Sequence, residues 1–186
     1  MNELLRVKEF KSDKEEDIVK TAYQLFKEVS FIRIGVDRIV KDSNIAKSTF
    51  YFYFSSKDEL LLECLNYEIL LHQHMVQDLI LEHEKSGSNA CLKAIYDWHI
   101  AKTHEPNYSG SLIIKASVEL VHIPKIKTLL SKYNAWEFKV ISNLLCELGV
   151  TNKGTHQILV NLLAGLMLPT STYLPTWEDI ESILSN

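Results

Sequence analysis

The sequence has little with which to punctuate or cross-link a chain. Six glycines and four prolines are spread over 186 residues, which excludes a collagen-like, proline-rich or low-complexity protein. Three cysteines, Cys64, Cys91 and Cys146, stand far apart with no C-x-x-C pair. An odd, scattered set supports neither a disulfide framework nor a zinc finger, and reduced thiols suit the cytoplasm. No run approaches the about 18 uncharged apolar residues of a membrane span. The longest candidate, Ile158 to Leu168, carries Asn161. The opening residues Met1 to Arg6 lack the apolar stretch of a secretory leader. Nucleophile elbow, P-loop and Gly-rich dinucleotide fingerprint are all missing, so nothing marks an enzyme and no cofactor is implied. Sustained alternation of apolar and polar residues is missing too, which removes a β architecture.

What is present is helical period almost everywhere. Apolar residues make up 46% of the chain, enough for the core of one or two domains at this length. A first helix opens at a capping box, Ser12 with Glu15, and carries Ile18, Ala22, Leu25, Phe26 and Val29 on one face. It ends near Ser30. Two short helices follow, 36–42 with Gly35 at its N-cap and 47–53. Ser43-Asn44-Ile45 joins them, and Asn44 tolerates the left-handed backbone such a turn needs. Ser56 and Glu59 form a second capping box, opening a long fourth helix to about Glu84. Further helices are expected near 89–104, 111–122, 124–148 and 153–168. Pro124 sits in the first turn of the seventh, and Gly149 stops it. That helix carries Ile126, Leu130, Tyr133, Val140, Leu144 and Leu148 at helical spacing. The eighth is apolar nearly all round and should be buried on most sides. Pro169 and Pro175 bracket a loop, and Thr176 caps a last helix through Leu184. The fold class is therefore all-α with about nine helices. Residues 1–60 form one unit and 61–186 a helical body, bridged by the fourth helix and so not independent.

Charge gives the first functional hint. The chain has 20 basic and 24 acidic residues, a net charge of -4. The window 33–57 runs the other way: Arg33, Arg38, Lys41, Lys47 and Lys57 outnumber Asp37 and Asp42. A basic window on an acidic body fits a site-restricted DNA binder. Two short helices joined by a three-residue turn are a helix-turn-helix, whose second helix enters a major groove. Ile39, Val40 and Ile45 pack this motif on the first helix. Phe50 and Phe54, at i and i+4, face inward as core. Lys47, Ser48, Tyr51 and Phe52 lie on other faces and can reach the groove. Lys47 suits a guanine edge, and Tyr51 and Phe52 suit a thymine methyl or a sugar.

Leu25-Phe26 closing the first helix, the helix-turn-helix, Thr49-Phe50-Tyr51 in its recognition helix, and Ser56 to Leu60 together resemble the TetR family of transcriptional regulators. The resemblance covers about Ile18 to Leu61. It implies phosphate contacts by Thr49, Tyr53 and Lys57. Lys57 also stands at a helix start, where free N–H groups and the dipole favour an anion. The resemblance further implies a cytoplasmic homodimer on a double-stranded, pseudo-palindromic operator, acting as a repressor. A small-molecule effector, apolar or aromatic, would release it from a pocket among the fourth to eighth helices. The family often has glycine where this chain has Ser30, Asn44 and Ser48, threonine at Gly35, and serine at Ala46. Gly35 lacks a hydroxyl for a phosphate, and Ala46 weakens the recognition helix cap by about 1 kcal/mol at most. Arg33 and Ser48 can take over part of the clamp, and Arg38 adds charge to the same surface.

The body is rich in large side chains. Tyr67, Leu71, Ile95, Trp98, His99, Ile113 and Trp136 are the candidates for lining an effector pocket, though each also suits ordinary core. Asn161 stands out in an apolar run. It can pair across a dimer seam, touch a ligand, or bond to its own helix. The resemblance places the dimer on the last two helices, so Asn161, Leu162, Gly165, Leu166, Trp177 and Ile180 are the seam candidates. His72 and His74 look like a metal pair, but i and i+2 point to different sides of a helix. Glu68 with His72, and His74 with Asp78, have better spacing, yet such pairs are common on surface helices and no metal site is expected. Arg6, Lys8 and Lys11 read as a frayed terminus before a DNA arm. Two rival functions share this sequence: an activator of the same fold, and a helical carrier or enzyme for a hydrophobic molecule.

Overall fold

The computed structural model describes residues 10–168 and 174–184. Arg6, Lys8 and Pro169 lie outside the described residues. Among those described, nine α-helices follow one another without a strand. They are α1 (Asp13–Glu28), α2 (Val36–Asp42), α3 (Lys47–Tyr53), α4 (Lys57–His83), α5 (Ser88–Thr103), α6 (Leu112–Glu119), α7 (Pro124–Glu147), α8 (Lys153–Leu166) and α9 (Trp177–Leu184).

Local chemistry sets the helix starts. The Ser12 hydroxyl accepts the N–H of Glu15 at 3.2 Å, and the Glu15 carboxylate accepts the N–H of Lys11 at 2.6 Å. At α4, Ser56 accepts the N–H of Glu59 at 3.2 Å. Glu59 in turn accepts both the N–H and the hydroxyl of Ser55, at 2.7 and 2.6 Å. Both capping boxes therefore close on the residue before the cap, not on the cap itself. Asn44 takes φ 50°, the left-handed turn conformation. Thr176 accepts the N–H of Asp179 at 3.2 Å and starts α9.

Three helix ends differ from the sequence pattern. α1 stops at Glu28, so Val29 falls at the cap and is exposed instead of sharing the buried stripe. α6 stops at Glu119 and not near His122. Pro124 disfavours helical backbone at the residue before it; Ile123 accordingly sits at φ -88°, ψ 110°, and a turn fills the gap. Leu148 falls at the C-cap of α7 and is exposed. α8 also departs from its expected burial: Ile158 is 57% exposed, and Asn161 faces out beside it.

One core continues from the N-terminal unit into the body. It joins Ile18, Ala22 and Phe26 of α1, Ile39 of α2, Phe50 of α3 and Phe54 to Leu60, Cys64 and Leu65 of α4. The same cluster runs on through Leu112 and Ala116 of α6 to Ile126, Leu130 and Tyr133 of α7. A second cluster packs the far half of α4 with α5, the end of α7, α8 and α9. Trp136 touches both clusters. Burial thus does not break at residue 60, and α4 is a shared strut between reading head and body.

Candidate nucleic-acid interface and body cavity

Helix α3 divides its side chains sharply. Phe50 is fully buried and packs against Phe54 with ring centroids 5.8 Å apart. On the other side Tyr51 is 51% and Phe52 80% exposed. Lys47 and Ser48 are exposed too. A Phe with four-fifths of its surface in water gains nothing from the fold, so its place on this helix asks for a partner.

The charged residues expected around it are present, and most are already engaged. Lys47 donates to Asp37 at 2.8 Å, bridging α3 to α2. Arg38 pairs with Asp42 at 2.5 Å along α2. Arg33 is exposed on the approach to α2. Thr49 is half-buried, as is Tyr53, whose hydroxyl shares a hydrogen bond of 2.9 Å with Ser12, the cap of α1. Lys57 is half-buried and donates to the carbonyl of Phe31; burial lowers its pKa from the ordinary lysine value. Tyr53 and Lys57 therefore also hold the reading helix and the start of α4 to the α1 end of the unit.

The body contains a cavity of about 360 Å³. Of the residues expected to line an effector pocket, Leu71, Trp98, His99 and Ile113 line it. The other three do not. Tyr67 packs edge-on against Tyr23 at 5.3 Å and borders a separate recess with Phe10 and His74. Ile95 and Trp136 border a small void behind His72. All three are displaced because successive helical positions point to different neighbours, and the wall is built from α4, α5, α6, α7 and α8 together.

Polar groups that the sequence reading did not assign to this pocket dominate its inner end. Glu68 is buried and accepts from the Ser111 hydroxyl at 2.6 Å and from the N–H groups of Leu112 and Ile113 at 2.8 and 3.3 Å. A carboxylate from α4 thus caps the start of α6, where the helix dipole favours negative charge. Glu68→Ala leaves the Ser111 hydroxyl and the Leu112 N–H without an acceptor, while the Ile113 N–H keeps its bond to Ser111 Oγ at 3.2 Å, and should cost about 3 kcal/mol. That corresponds to a fall in Tm of roughly 6–12 °C for a chain of this size. Thermal unfolding followed by circular dichroism measures it, and Glu68→Gln, which keeps an acceptor, should fall by less.

Beside Glu68 stands a hydrogen-bonded chain. The Tyr133 hydroxyl donates to Glu137 at 3.0 Å, so it accepts from Nδ1 of His72 at 3.1 Å. His99 Nδ1 donates to the carbonyl of Ile95 at 2.7 Å. Burial, with the neighbouring His99 adding to it, lowers the His72 pKa to about 3. Burial lowers His99 to about 4 and raises Glu137 to about 7, against the pull of its Tyr133 hydrogen bond. The spacing of Glu68 and His72 was the available sequence signal; their partners on α5, α6 and α7 were not visible in it.

Among the seam candidates, Leu166, Trp177 and Ile180 are buried inside the protomer. Trp177 packs on Tyr96 with centroids 5.7 Å apart. For Trp177 and Ile180 the cause is that α9 folds back on α5 and its apolar side closes the second core cluster, where Leu166 of α8 is buried as well. Asn161 is exposed, accepts from Gln157 at 2.9 Å, and borders the cavity. Leu162 and Gly165 remain partly exposed on the same helix.

The family model described as bacterial regulatory proteins, tetR family, matches residues 18–64. Over these residues the chain carries a tetR-family DNA-binding region. The helix-turn-helix regulator YuxN of Bacillus subtilis is 44% identical over 55 residues, which are 30% of this chain and 19% of that protein. The match thus spans about a fifth of that relative, centred on the family's reading head. A second B. subtilis regulator, YxaF, is 24% identical over 169 residues, 85% of each chain. In structure, a TetR-family transcriptional regulator from Streptomyces coelicolor superimposes with a TM-score of 0.79 at 19% identity, covering 92% of this chain and 94% of that one. That likeness carries the tetR-family fold through α9. No helix among the described residues is long and apolar enough to cross a membrane.

Proposed function

We propose that this protein is a cytoplasmic, ligand-responsive transcriptional regulator that binds a double-stranded operator as a homodimer and represses until an effector enters the body cavity. The exposed face of α3 carries this reading. Lys47, Ser48, Tyr51 and Phe52 stand out from a helix whose other side is locked in core, the form of a major-groove reader. Arg33, Arg38, Thr49, Tyr53 and Lys57 surround that face and supply phosphate contacts, which fix register while α3 reads bases. The dimer seam on this reading uses the outward stripe Ile158, Asn161, Leu162 and Gly165 of α8, where nothing apart from its chain neighbours and its own helix backbone lies within 4 Å of the position a Gly165 Cβ would take. A second copy could approach closely there.

Helix α4 links the two activities. It begins at Lys57 beside the reading head and carries Glu68, Leu71 and His72 on the cavity wall. An effector wedged among Trp98, Leu71 and Ile113 would bias the tilt of α4 and hence the spacing of two reading heads. The cavity is more polar than the apolar or aromatic effector expected from the sequence. Two carboxylates and two imidazoles line its inner end.

Selection from random DNA tests the reading. The expected result is a pseudo-palindromic consensus, bound by two chains per duplex, with affinity falling steeply as salt rises. Binding without sequence preference, or no binding at low salt, would leave a carrier of hydrophobic molecules as the better account.

A further inference from the structure

The inner end of the cavity holds a donor set that DNA reading does not use. His72 of α4, His99 of α5 and Glu137 of α7 each bring a ligand-type atom within 4.8 Å of the others. All three are buried, and among the described residues no other trio of His, Cys, Asp or Glu converges in this way. We propose that they bind one divalent first-row transition-metal ion of the zinc class, through Nε2 of both imidazoles and a carboxylate oxygen, with a fourth position opening on the cavity.

The hydrogen bonds argue for the ion. Nδ1 of His99 is committed to the Ile95 carbonyl, and Nδ1 of His72 to the Tyr133 hydroxyl. That hydroxyl is committed to Oε1 of Glu137. Among the described residues nothing engages the Nε2 of either ring or the second oxygen of Glu137. All three residues line the cavity, so these atoms are open to an ion entering from it, and a cation would engage all three at once. The outer contacts are those of metal-binding histidine: the far ring nitrogen is held by a carbonyl or a hydroxyl, which fixes tautomer and orientation.

Size and softness narrow the ion. A point between three atoms no farther apart than 4.8 Å lies within about 2.8 Å of each, and a zinc site needs about 2.0–2.2 Å. Small side-chain rotations close that difference. Two imidazoles with one carboxylate suit zinc, cobalt or nickel and not calcium or magnesium, which take all-oxygen shells. Three protein ligands with an open position leave room for water or a small ligand from the cavity. Glu68 lines the same cavity and keeps one buried oxygen without a hydrogen bond, adding negative potential on the route in.

The site ties α4, α5 and α7 together, so the ion would draw in the helix that carries the reading head. That consequence rests on the regulatory function proposed above; the metal site itself does not. The test uses the full chain with Cys146→Ser, which removes an exposed competing thiol, stripped with chelator and titrated with Co(II). Visible d–d bands saturating at one cobalt per chain, and displaced by zinc, are expected. His99→Asn and Glu137→Gln should each weaken binding at least 10- to 100-fold, while His104→Ala and His122→Ala on the surface leave it unchanged. Absence of the bands in the folded parent, or their survival in His99→Asn, overturns the site. Should the variants unfold, zinc-edge X-ray absorption of the parent decides. Two imidazoles with oxygen supports the assignment, and a shell without imidazole overturns it. Operator affinity is measured separately with and without zinc. A zinc-loaded protein that binds its operator unchanged keeps the site and sinks the coupling.

Discussion

Phe50→Ala should destabilise the whole chain, not only its reading head. Removing a fully buried aromatic ring from a core costs about 3–5 kcal/mol, against a total stability of about 5–15 kcal/mol. Phe50 has no exposed surface and belongs to the cluster that runs from Ile18 in α1 to Tyr133 in α7. The three tryptophans, Trp98, Trp136 and Trp177, all lie in the body. Their fluorescence therefore reports the body, and far-UV circular dichroism reports every helix. In urea, both signals of Phe50→Ala should move together to a lower midpoint with an unchanged slope. A head that unfolded alone would shift only part of the dichroism and leave the tryptophan transition where it was. Phe52→Ala is the matched control. That ring is 80% exposed, and its loss should change stability by no more than about 0.5 kcal/mol.

The parts of this molecule that were legible in the sequence are those fixed by local chemistry. Ser12, Ser56 and Thr176 announce helix starts, Asn44 and Gly149 announce stops, and a 3.6-residue period announces nine helices. The split of α3 into buried Phe50 and exposed Tyr51 and Phe52 follows from the same period, because one turn fixes which side chains share a face. What could not be read is where long-range packing decides. Trp177 and Ile180 look like interface residues in an amphipathic last helix, yet that helix folds back and uses them inside its own protomer. Tyr67 and Trp136 have the chemistry of pocket residues, but their positions around their helices face other neighbours. The cavity's polar end shows the limit most clearly. Glu68 and His72 form an ordinary i, i+4 pair in one dimension. Only the packing of α5, α6 and α7 against α4 brings Ser111, His99, Tyr133 and Glu137 to them.

The largest functional effects are expected at Lys47 and Tyr51, and the free protein shows why the two should differ. Each base contact in a major groove discriminates by roughly five- to a hundredfold. A symmetric dimer presents each residue twice, so the loss on a full operator is about the square of the loss on one half-site. Tyr51→Ala should weaken the selected operator by that amount and leave binding to unrelated DNA nearly unchanged, since an uncharged ring adds little to phosphate attraction. Lys47→Ala should weaken both, because its charge counts on any sequence. Lys47 is held by Asp37 at 2.8 Å, an exposed pair that water and salt make cheap to release. Asp37→Asn should accordingly raise affinity for all DNA, most at low salt, by freeing Lys47 and removing a negative charge that faces the backbone. Lys57→Met should flatten the dependence of log affinity on log salt by about one per reading head without altering sequence preference. Fluorescence anisotropy across a salt series on operator and scrambled duplexes separates these outcomes. If Tyr51→Ala lowered both affinities equally, the ring would be positioning α3 and not reading it, and the assignment would pass to Phe52, whose greater exposure makes it the next side chain able to reach a base.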